Sequence, residues 1–304
     1  MIFRSYFRRI LLILKQDPSG SLLLKVLVRF ATLRFNKAPV WLGPEVFIQE
    51  TPVASGIKAR IIVHIHIFYW EFLDRTIAVI NNYPLAAKFI ITTPNTEIKN
   101  SLDQTVFRRG VGVETILTKN EGRNFGPLFE ALTSGLESYD YVVHAHSKLS
   151  PQLPQDQATR WADSQWSFLL ESPEIILRTF AILEKSPNLQ IAYALDEETV
   201  KRRPFDWGLN KSIATRHLNL DKNSPKRFPY PVGGMFIVKP SVLTNLNEVI
   251  KSKSGFPRET GQIDATPQHF AERAIGFIPF LSGDTHLVYF SRSDQFGADL
   301  GFFR

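Results

Sequence analysis

Three short stretches of this chain gather side chains that can do chemistry. In Asn120-Glu121-Gly122-Arg123-Asn124-Phe125-Gly126, an arginine and two glycines precede a run with helical spacing, Leu128, Phe129, Leu132 and Leu136. An arginine fork pairs bidentately with phosphate. Glycines admit close backbone approach, and amides at a helix start favour an anion. The same residues also make an ordinary strand-to-helix turn. His144-Ala145-His146-Ser147-Lys148 follows a β-rich run beginning at Tyr139. Residues two apart on a strand share a face, so His144 and His146 can hold a metal or serve as hydrogen-bonding histidines. Lys148 offers a fixed positive charge where a leaving diphosphate would sit. His64 and His66 repeat the spacing, and one histidine of each pair is expected to face the core. In Asp264-Ala265-Thr266-Pro267-Gln268-His269-Phe270-Ala271-Glu272-Arg273, Pro267 suits the first turn of a helix and Thr266 its N-cap. His269, Glu272 and Arg273 then lie within one turn of each other. Asp264 stands just before the helix as a candidate general base; the alternative is a cap plus a surface ion pair.

Such residues must be positioned by regular elements, and the hydrophobic pattern predicts them. Residues 60–68 form a β-branched apolar run, 70–82 an amphipathic helix, 88–92 a strand and 97–108 a helix. A strand ends at Leu117, residues 120–127 read as a loop, and 139–143 as the next strand. Helices follow at 159–170 and 173–186, strands at 190–195 and 233–238, helices at 241–250 and 268–275, and one or two strands over 277–290. Residues 201–231, with Trp207, read as one long irregular basic loop, and a loop of that length is usually functional or mobile. Alternating strands and helices imply a mostly parallel, doubly wound α/β sheet with flanking helices. Ligands of such sheets bind beyond the carboxyl ends of the strands, where the first two polar stretches would sit side by side.

The 304 residues include no cysteine, which excludes disulfides, a thiol nucleophile and cysteine-ligated metal. No apolar run is long enough to span a membrane. The net charge of +7 sits at one end: residues 1–40 hold eight basic side chains and Asp17, and 8 − 1 = +7. Phe3, Phe7, Ile10 and Leu14 share a helical face in 1–16, and 22–35 form a second apolar-basic segment. Basic charge mixed with aliphatics suits an anionic membrane surface better than nucleic acid; a helical hairpin packed on the main domain fits equally. The chain thus divides into residues 1–57, N-terminal amphipathic helices with a proline-rich linker over 36–57, and residues 58–304, the regular domain.

The polar stretches, in this order, resemble the rhamnan synthesis protein F family. Its pattern has a strand ending in H-x-[FY]-Y, then N-[RE]-G-R-[DN]-x-x-P, Y-D-Y-V-x-x-x-H-[TS]-K, G-x-M-F and D-G-T-x-x-H-x-x-E-R. Here stand His66-Ile67-Phe68-Tyr69; Asn120, Gly122, Arg123 and Asn124, with Pro127 one place late; Tyr139-Asp140-Tyr141-Val142 leading to His146-Ser147-Lys148; Gly234-Met235-Phe236; and Asp264, Thr266, His269, Glu272 and Arg273. The likeness spans roughly residues 58–290, leaving the first 57 outside it. Ala265 replaces the pattern's glycine, Leu149 a common second lysine and Ile237 a usual tryptophan.

The resemblance implies a GT-A-like fold and a glycosyltransferase, inverting, taking a deoxyhexose such as rhamnose from a nucleotide sugar (dTDP-rhamnose-like). The acceptor implied is a growing lipid-linked glycan at the cytoplasmic face of the bacterial plasma membrane. Donor binding then falls to His66, Tyr69, Asn120, Gly122, Arg123, Asn124, His146, Ser147 and Lys148. Chemistry falls to Asp264, His269 and Glu272, and the acceptor side to Trp207, Gly234, Met235 and Arg273. Glu272 with Arg273 also suits a structural ion pair. No cofactor is firmly expected. GT-A enzymes commonly hold a divalent metal with D-x-D, and this chain has no such motif; Lys148 and Arg123 are the expected replacement. The rival reading is a binding module for carbohydrate or nucleotide sugar without turnover.

Overall fold

The β-branched run predicted to be doubly buried is strand β2 (Ile61–His66), and all six of its residues are buried. In this computed structural model the described residues are 45–47, 56–132, 135–147, 154–196, 205–251, 255–258, 264–281, 285–291 and 298–303. Lys148 and the N-terminal segments 1–16 and 22–35 lie outside them.

Strands β3 (Ala87–Thr93) and β5 (Tyr141–His146) flank β2 in parallel, and β4 (Gly112–Leu117) extends the sheet beyond β3. Strands β6 (Leu189–Asp196) and β8 (Thr285–Ser291) form a second parallel pair. Between the halves lies β7 (Phe236–Val238), antiparallel to both β5 and β6. These seven strands are mostly parallel, as expected, with β7 the exception. Two more strands, β9 (Ala298–Phe303) and β1 (Glu45–Phe47), continue antiparallel beyond β8, giving the order β1-β9-β8-β6-β7-β5-β2-β3-β4. Glu45–Phe47 had been expected within a linker; sheet pairing makes it a strand.

Eight α-helices occur among the described residues. Helices α1 (Leu73–Asn82), α2 (Thr96–Gln104) and α5 (Pro173–Lys185) cover one face of the sheet with Val79, Ile80, Ile98, Leu102, Ile176 and Phe180. Helices α3 (Phe125–Ala131), α7 (Pro240–Lys251) and α8 (Pro267–Leu281) cover the other with Leu128, Phe129, Leu243, Leu246, Phe270 and Ile275. Each fully buried large apolar side chain stabilises the fold by roughly 1.5–3 kcal/mol. The starts of these helices follow from local chemistry. Asn95 caps α2 by accepting from the amides of Glu97 (2.8 Å) and Ile98 (3.3 Å). Pro173 occupies the first turn of α5.

Helix α4 (Gln155–Trp166) passes into a π-turn over Ser167–Glu171, and Trp166 and Phe168 are both fully buried at this junction. The supposed loop 201–231 contains helix α6 (Lys211–Leu218), whose Ala214 is buried against the second core. Residues Phe277 to Leu281 continue α8 rather than opening a strand, with Pro279 carried inside the helix. Phe125 and Gly126, expected in a loop, are the first turn of α3.

Candidate functional site

Parallel pairing of β2 with β5 sets His64 beside His144 and His66 beside His146. Since alternate residues share a face, the four imidazoles form one block on the side covered by α3. His64 Nδ1 and His144 Nδ1 are 2.9 Å apart. Thr92, at the end of β3, puts its hydroxyl 3.1 Å from His64 Nε2 and 3.0 Å from His66 Nδ1. On the other side, Asn124 Nδ2 is 3.0 Å from His144 Nε2 and donates to the Gly234 carbonyl at 3.2 Å. Both nitrogens of His144 therefore face protein groups, the hydrogen-bonding arrangement that the sequence offered as one of its two alternatives. Burial first, then neighbouring histidines, holds His64 and His144 well below the usual imidazole range, and burial takes His66 down to about 3.

His146 is half-buried, and both its ring nitrogens face carbonyl oxygens: Nε2 that of Gly233 at 2.8 Å and Nδ1 that of Ser147 at 3.1 Å. Its own carbonyl accepts from Trp166 Nε1 at 3.1 Å. Ser147 is buried, and its hydroxyl accepts from the amides of Phe68 (2.8 Å) and Tyr69 (3.2 Å), which fixes the turn leaving β2. The carboxyl ends of β2 and β5 are thereby locked together. Phe68 and Trp70 project outward there, 41% and 49% exposed.

The loop before α3 is built differently from a phosphate cradle. The amide of Gly122 donates to Pro257 O at 3.2 Å, and those of Phe125 and Gly126 donate to Gly122 O at 3.1 Å, so these three donors are occupied. The two glycines had been expected to let a ligand approach. Instead, a Cβ on Gly122 would lie 2.4 Å from the Phe256 ring, and one on Gly126 would lie 1.8 Å from Glu121 O. They make room for the protein's own packing. Asn120 is exposed, whereas Asn124 is buried. Arg123 takes a left-handed φ of 55°, a conformation that costs an ordinary residue on the order of 1–2 kcal/mol. That geometry sends its guanidinium to His269, with Nη1 3.1 Å from Nε2. Arginine only donates, so His269 Nε2 accepts and the ring proton is on Nδ1, which donates to Thr266 Oγ1 at 2.6 Å. Burial, more than the partly offsetting carboxylates around it, takes His269 down to about 4, so it is neutral. Arg123 also reaches the neighbourhood of Tyr69: it opposes the rise in the phenol pKa that burial and Glu71 cause.

Thr266 thus bonds the His269 ring. Asp264, 21% exposed, accepts at Oδ1 from Asn210 Nδ2 (2.6 Å) and the Ala265 amide (2.9 Å). Its Oδ2 stands 3.4 Å from Arg273 Nη2. Burial would raise its pKa, but Arg273, His269, the Ala265 amide and Asn210 outweigh that and hold it below the usual carboxylate range. Arg273 is buried and donates to His269 O (2.9 Å) and Asp206 O (3.2 Å), with Tyr230 beneath its guanidinium. Glu272 is half-buried and accepts from the Gly233 amide at 2.6 Å. Asp264, the carboxylate expected to be free, thus stands against Arg273.

The structure brings together His66, Tyr69, Arg123, His146, Ser147, His269 and Glu272 around the carboxyl ends of β2 and β5. It does not bring Trp207 or Met235 to a surface. Trp207 stacks among Phe228, Phe270 and Phe277 at 4.7, 5.8 and 4.7 Å between ring centroids, and Met235 is fully buried. Gly234 meets Asn124 through its carbonyl. Thr92 and Asn210 went unnoticed in the sequence. Thr92 had a signal, a polar residue closing an apolar strand at the ligand end. Among the described residues no group of three potential ligands is arranged to hold a metal ion, and no helix is long and apolar enough to cross a membrane.

Two curated relatives are similar to this chain. Both are called uncharacterized protein WxcX, from Xanthomonas campestris pv. campestris strains B100 and ATCC 33913. Each is 25% identical over 223 residues, covering 73% of this chain and 31% of the relative. The chain therefore spans about a third of their length. A family model described as rhamnan synthesis protein F matches residues 13–283, reaching well into the N-terminal region that the motif likeness left out. By that match, which covers most of its length, the chain belongs to the rhamnan synthesis protein F family.

Proposed function

We propose that this chain is a glycosyltransferase of the GT-A-like kind that moves a deoxyhexose from a nucleotide sugar to a polysaccharide acceptor. The observation that carries the reading is the meeting of Arg123 with His269, near Tyr69, beyond the carboxyl ends of parallel strands. Ligands of open α/β sheets bind at that edge. Family membership supports a role in rhamnan synthesis, and a dTDP-rhamnose-like donor with a lipid-linked glycan acceptor is the matching pair. Arg123 stabilises the leaving diphosphate, with Lys148, which directly follows Ser147, as its partner. Asp264 takes the acceptor proton; its lowered pKa keeps it ionised at neutral pH at some cost in basicity. Residues 1–35 rest on the anionic inner face of the membrane.

A second reading, binding without turnover, draws on one observation: both carboxylate oxygens of Asp264 already have partners in Asn210, the Ala265 amide and Arg273. One experiment separates the two. Titrate dTDP against the purified chain and follow dTDP release from dTDP-rhamnose with an acceptor glycan. Arg123→Ala is expected to weaken dTDP binding by about 1.5–3 kcal/mol, the worth of a hydrogen bond to a charged group. Asp264→Asn is expected to keep that affinity while turnover falls roughly 10²–10⁴-fold. Binding without release in the unaltered chain selects the second reading, and unchanged affinity in Arg123→Ala removes the assignment.

A further inference from the structure

The buried histidines carry more information than their burial, because the direction of every hydrogen bond among them can be worked out. The starting point is Asn124. Its Nδ2 faces the Gly234 carbonyl at 3.2 Å, and a carbonyl oxygen only accepts, so the amide cannot be turned the other way without setting two acceptors against each other. The same nitrogen then donates its second hydrogen to His144 Nε2 at 3.0 Å. His144, neutral and accepting at Nε2, must carry its proton on Nδ1, and donates to His64 Nδ1 at 2.9 Å. His64 must then carry its proton on Nε2 and donate to Thr92 Oγ1 at 3.1 Å. The threonine hydroxyl still has one hydrogen to give: donating it to His66 Nδ1 at 3.0 Å uses it, whereas accepting from both rings would leave it without an acceptor among the described residues. His66 is left with its proton on Nε2. That nitrogen has no partner among the described residues, and it belongs to the imidazole that ends β2 beside His146.

We propose that Asn124, His144, His64 and Thr92 are positioning residues that fix His66 as an Nε2–H donor to an oxygen of the bound nucleotide sugar. From Asn124 to His64 each link has a single consistent direction, and at Thr92 the hydroxyl hydrogen has His66 Nδ1 as its acceptor, so the tautomer of the last ring is set at the far end of the relay, at an amide that the Gly234 carbonyl and α3 hold in place. A neutral N–H donor selects an oxygen acceptor, either a diphosphate oxygen or a sugar hydroxyl. It also denies Nε2 to a metal ion, since a protonated nitrogen has no lone pair to offer. None of these four residues need touch the ligand, which distinguishes them from Arg123 and His66. The inference rests on the glycosyltransferase reading for the identity of the ligand, but not for the tautomers.

The test separates the two. Long-range proton–nitrogen correlations on the full chain with labelled histidine report which ring nitrogen bears the proton. His66 and His64 are expected as Nε2–H tautomers and His144 as Nδ1–H. Thr92→Val removes the hydroxyl between His64 and His66 at nearly constant volume. It is expected to release His66 into mixed tautomers and to weaken ligand binding roughly three- to tenfold, the worth of one neutral hydrogen bond. Thr92→Ser is expected to restore both. A loss seen with dTDP and dTDP-rhamnose alike assigns the acceptor to the diphosphate; a loss seen only with dTDP-rhamnose assigns it to the sugar. His66 found as the Nδ1–H tautomer in the unaltered chain overturns the proposal. So does a Thr92→Val chain with unchanged tautomer and unchanged affinity for both ligands. If the tautomers are as stated and neither nucleotide binds the unaltered chain, the locked donor stands and the glycosyltransferase reading falls.

Discussion

Ala265 carries a φ of 64°, a left-handed conformation at the entrance to α8, and its amide donates to Asp264. A side chain with a Cβ adopts that conformation at a cost of about 1–2 kcal/mol, which gives a physical reason for the glycine usual at this place in the family pattern. Ala265→Gly relieves the strain, offset in part by the added freedom of glycine in the unfolded chain. The expected result is a gain of about 0.5–1 kcal/mol in urea unfolding with the Asp264 contacts intact. A loss of stability would mean the surrounding loop had already relaxed around the alanine. Arg123, at φ 55°, bears a similar cost with a different return. Its backbone is bent so that a guanidinium reaches His269 instead of solvent, the kind of local strain that gathers at sites of function.

At the scale of elements, the latch between α3 and the turn before β7 depends on Gly234. It has a φ of 72°, and a Cβ there would lie 2.8 Å from Asn124 Nδ2 and 3.2 Å from the Phe125 ring. Gly234→Ala therefore both strains its own backbone and displaces the amide that heads the histidine chain. A loss of roughly 2–4 kcal/mol is expected in thermal or urea unfolding; a cost near zero would show that the latch carries no weight. The elements that could be read in the sequence are those whose signal is local. Strands β2, β3 and β5 are apolar and β-branched, and α1, α5 and α7 show helical spacing, so each was placed within a few residues. What escaped is set by distant partners. The antiparallel course of β7 follows from the strands on both its sides, and β1 exists because β9 lies next to it. Helix α6 has only one buried residue, Ala214, to advertise it. The motif residues of the site were legible by type, but their roles were not. Trp207 reads as an exposed aromatic of a long loop until Phe228, Phe270 and Phe277 are seen to enclose it.

For the molecule as a whole, five of the seven histidines, His64, His66, His144, His269 and His286, are buried and held below the usual imidazole value of 6.5. Burial is the leading cause for each, taking His269 to about 4 and His66 and His286 to about 3. Between 6.5 and those values the unfolded chain binds more protons than the folded one, so stability falls as pH falls. Each such group contributes about 1.4 kcal/mol per pH unit within its window. Asp264, whose pKa is lowered on folding, adds a further loss only as pH drops below the ordinary carboxylate range. Urea unfolding is accordingly expected to lose several kcal/mol between pH 7 and pH 5. A flat profile across that interval would show that the imidazoles are hydrated in the folded chain.

The insertion of β7 between β5 and β6 also has a consequence for how the molecule is made. The Asn124 amide finds its carbonyl 110 residues later in the chain, and β5 gains its second neighbour only when residues 236–238 arrive. Strands β2, β3, β4 and β5 can pair with one another as soon as they leave the ribosome, since a chain emerging at about 5–20 residues per second folds from its amino end. Their sheet then waits, with the edge of β5 unpaired and its histidines unlatched, through the synthesis of α4, α5, β6 and α6. Unpaired edges of this kind invite foreign strands. An interval of exposure to aggregation therefore falls during the chain's own translation: the arrival of Gly234 latches the histidines, and the arrival of residues 236–238 covers the edge of β5.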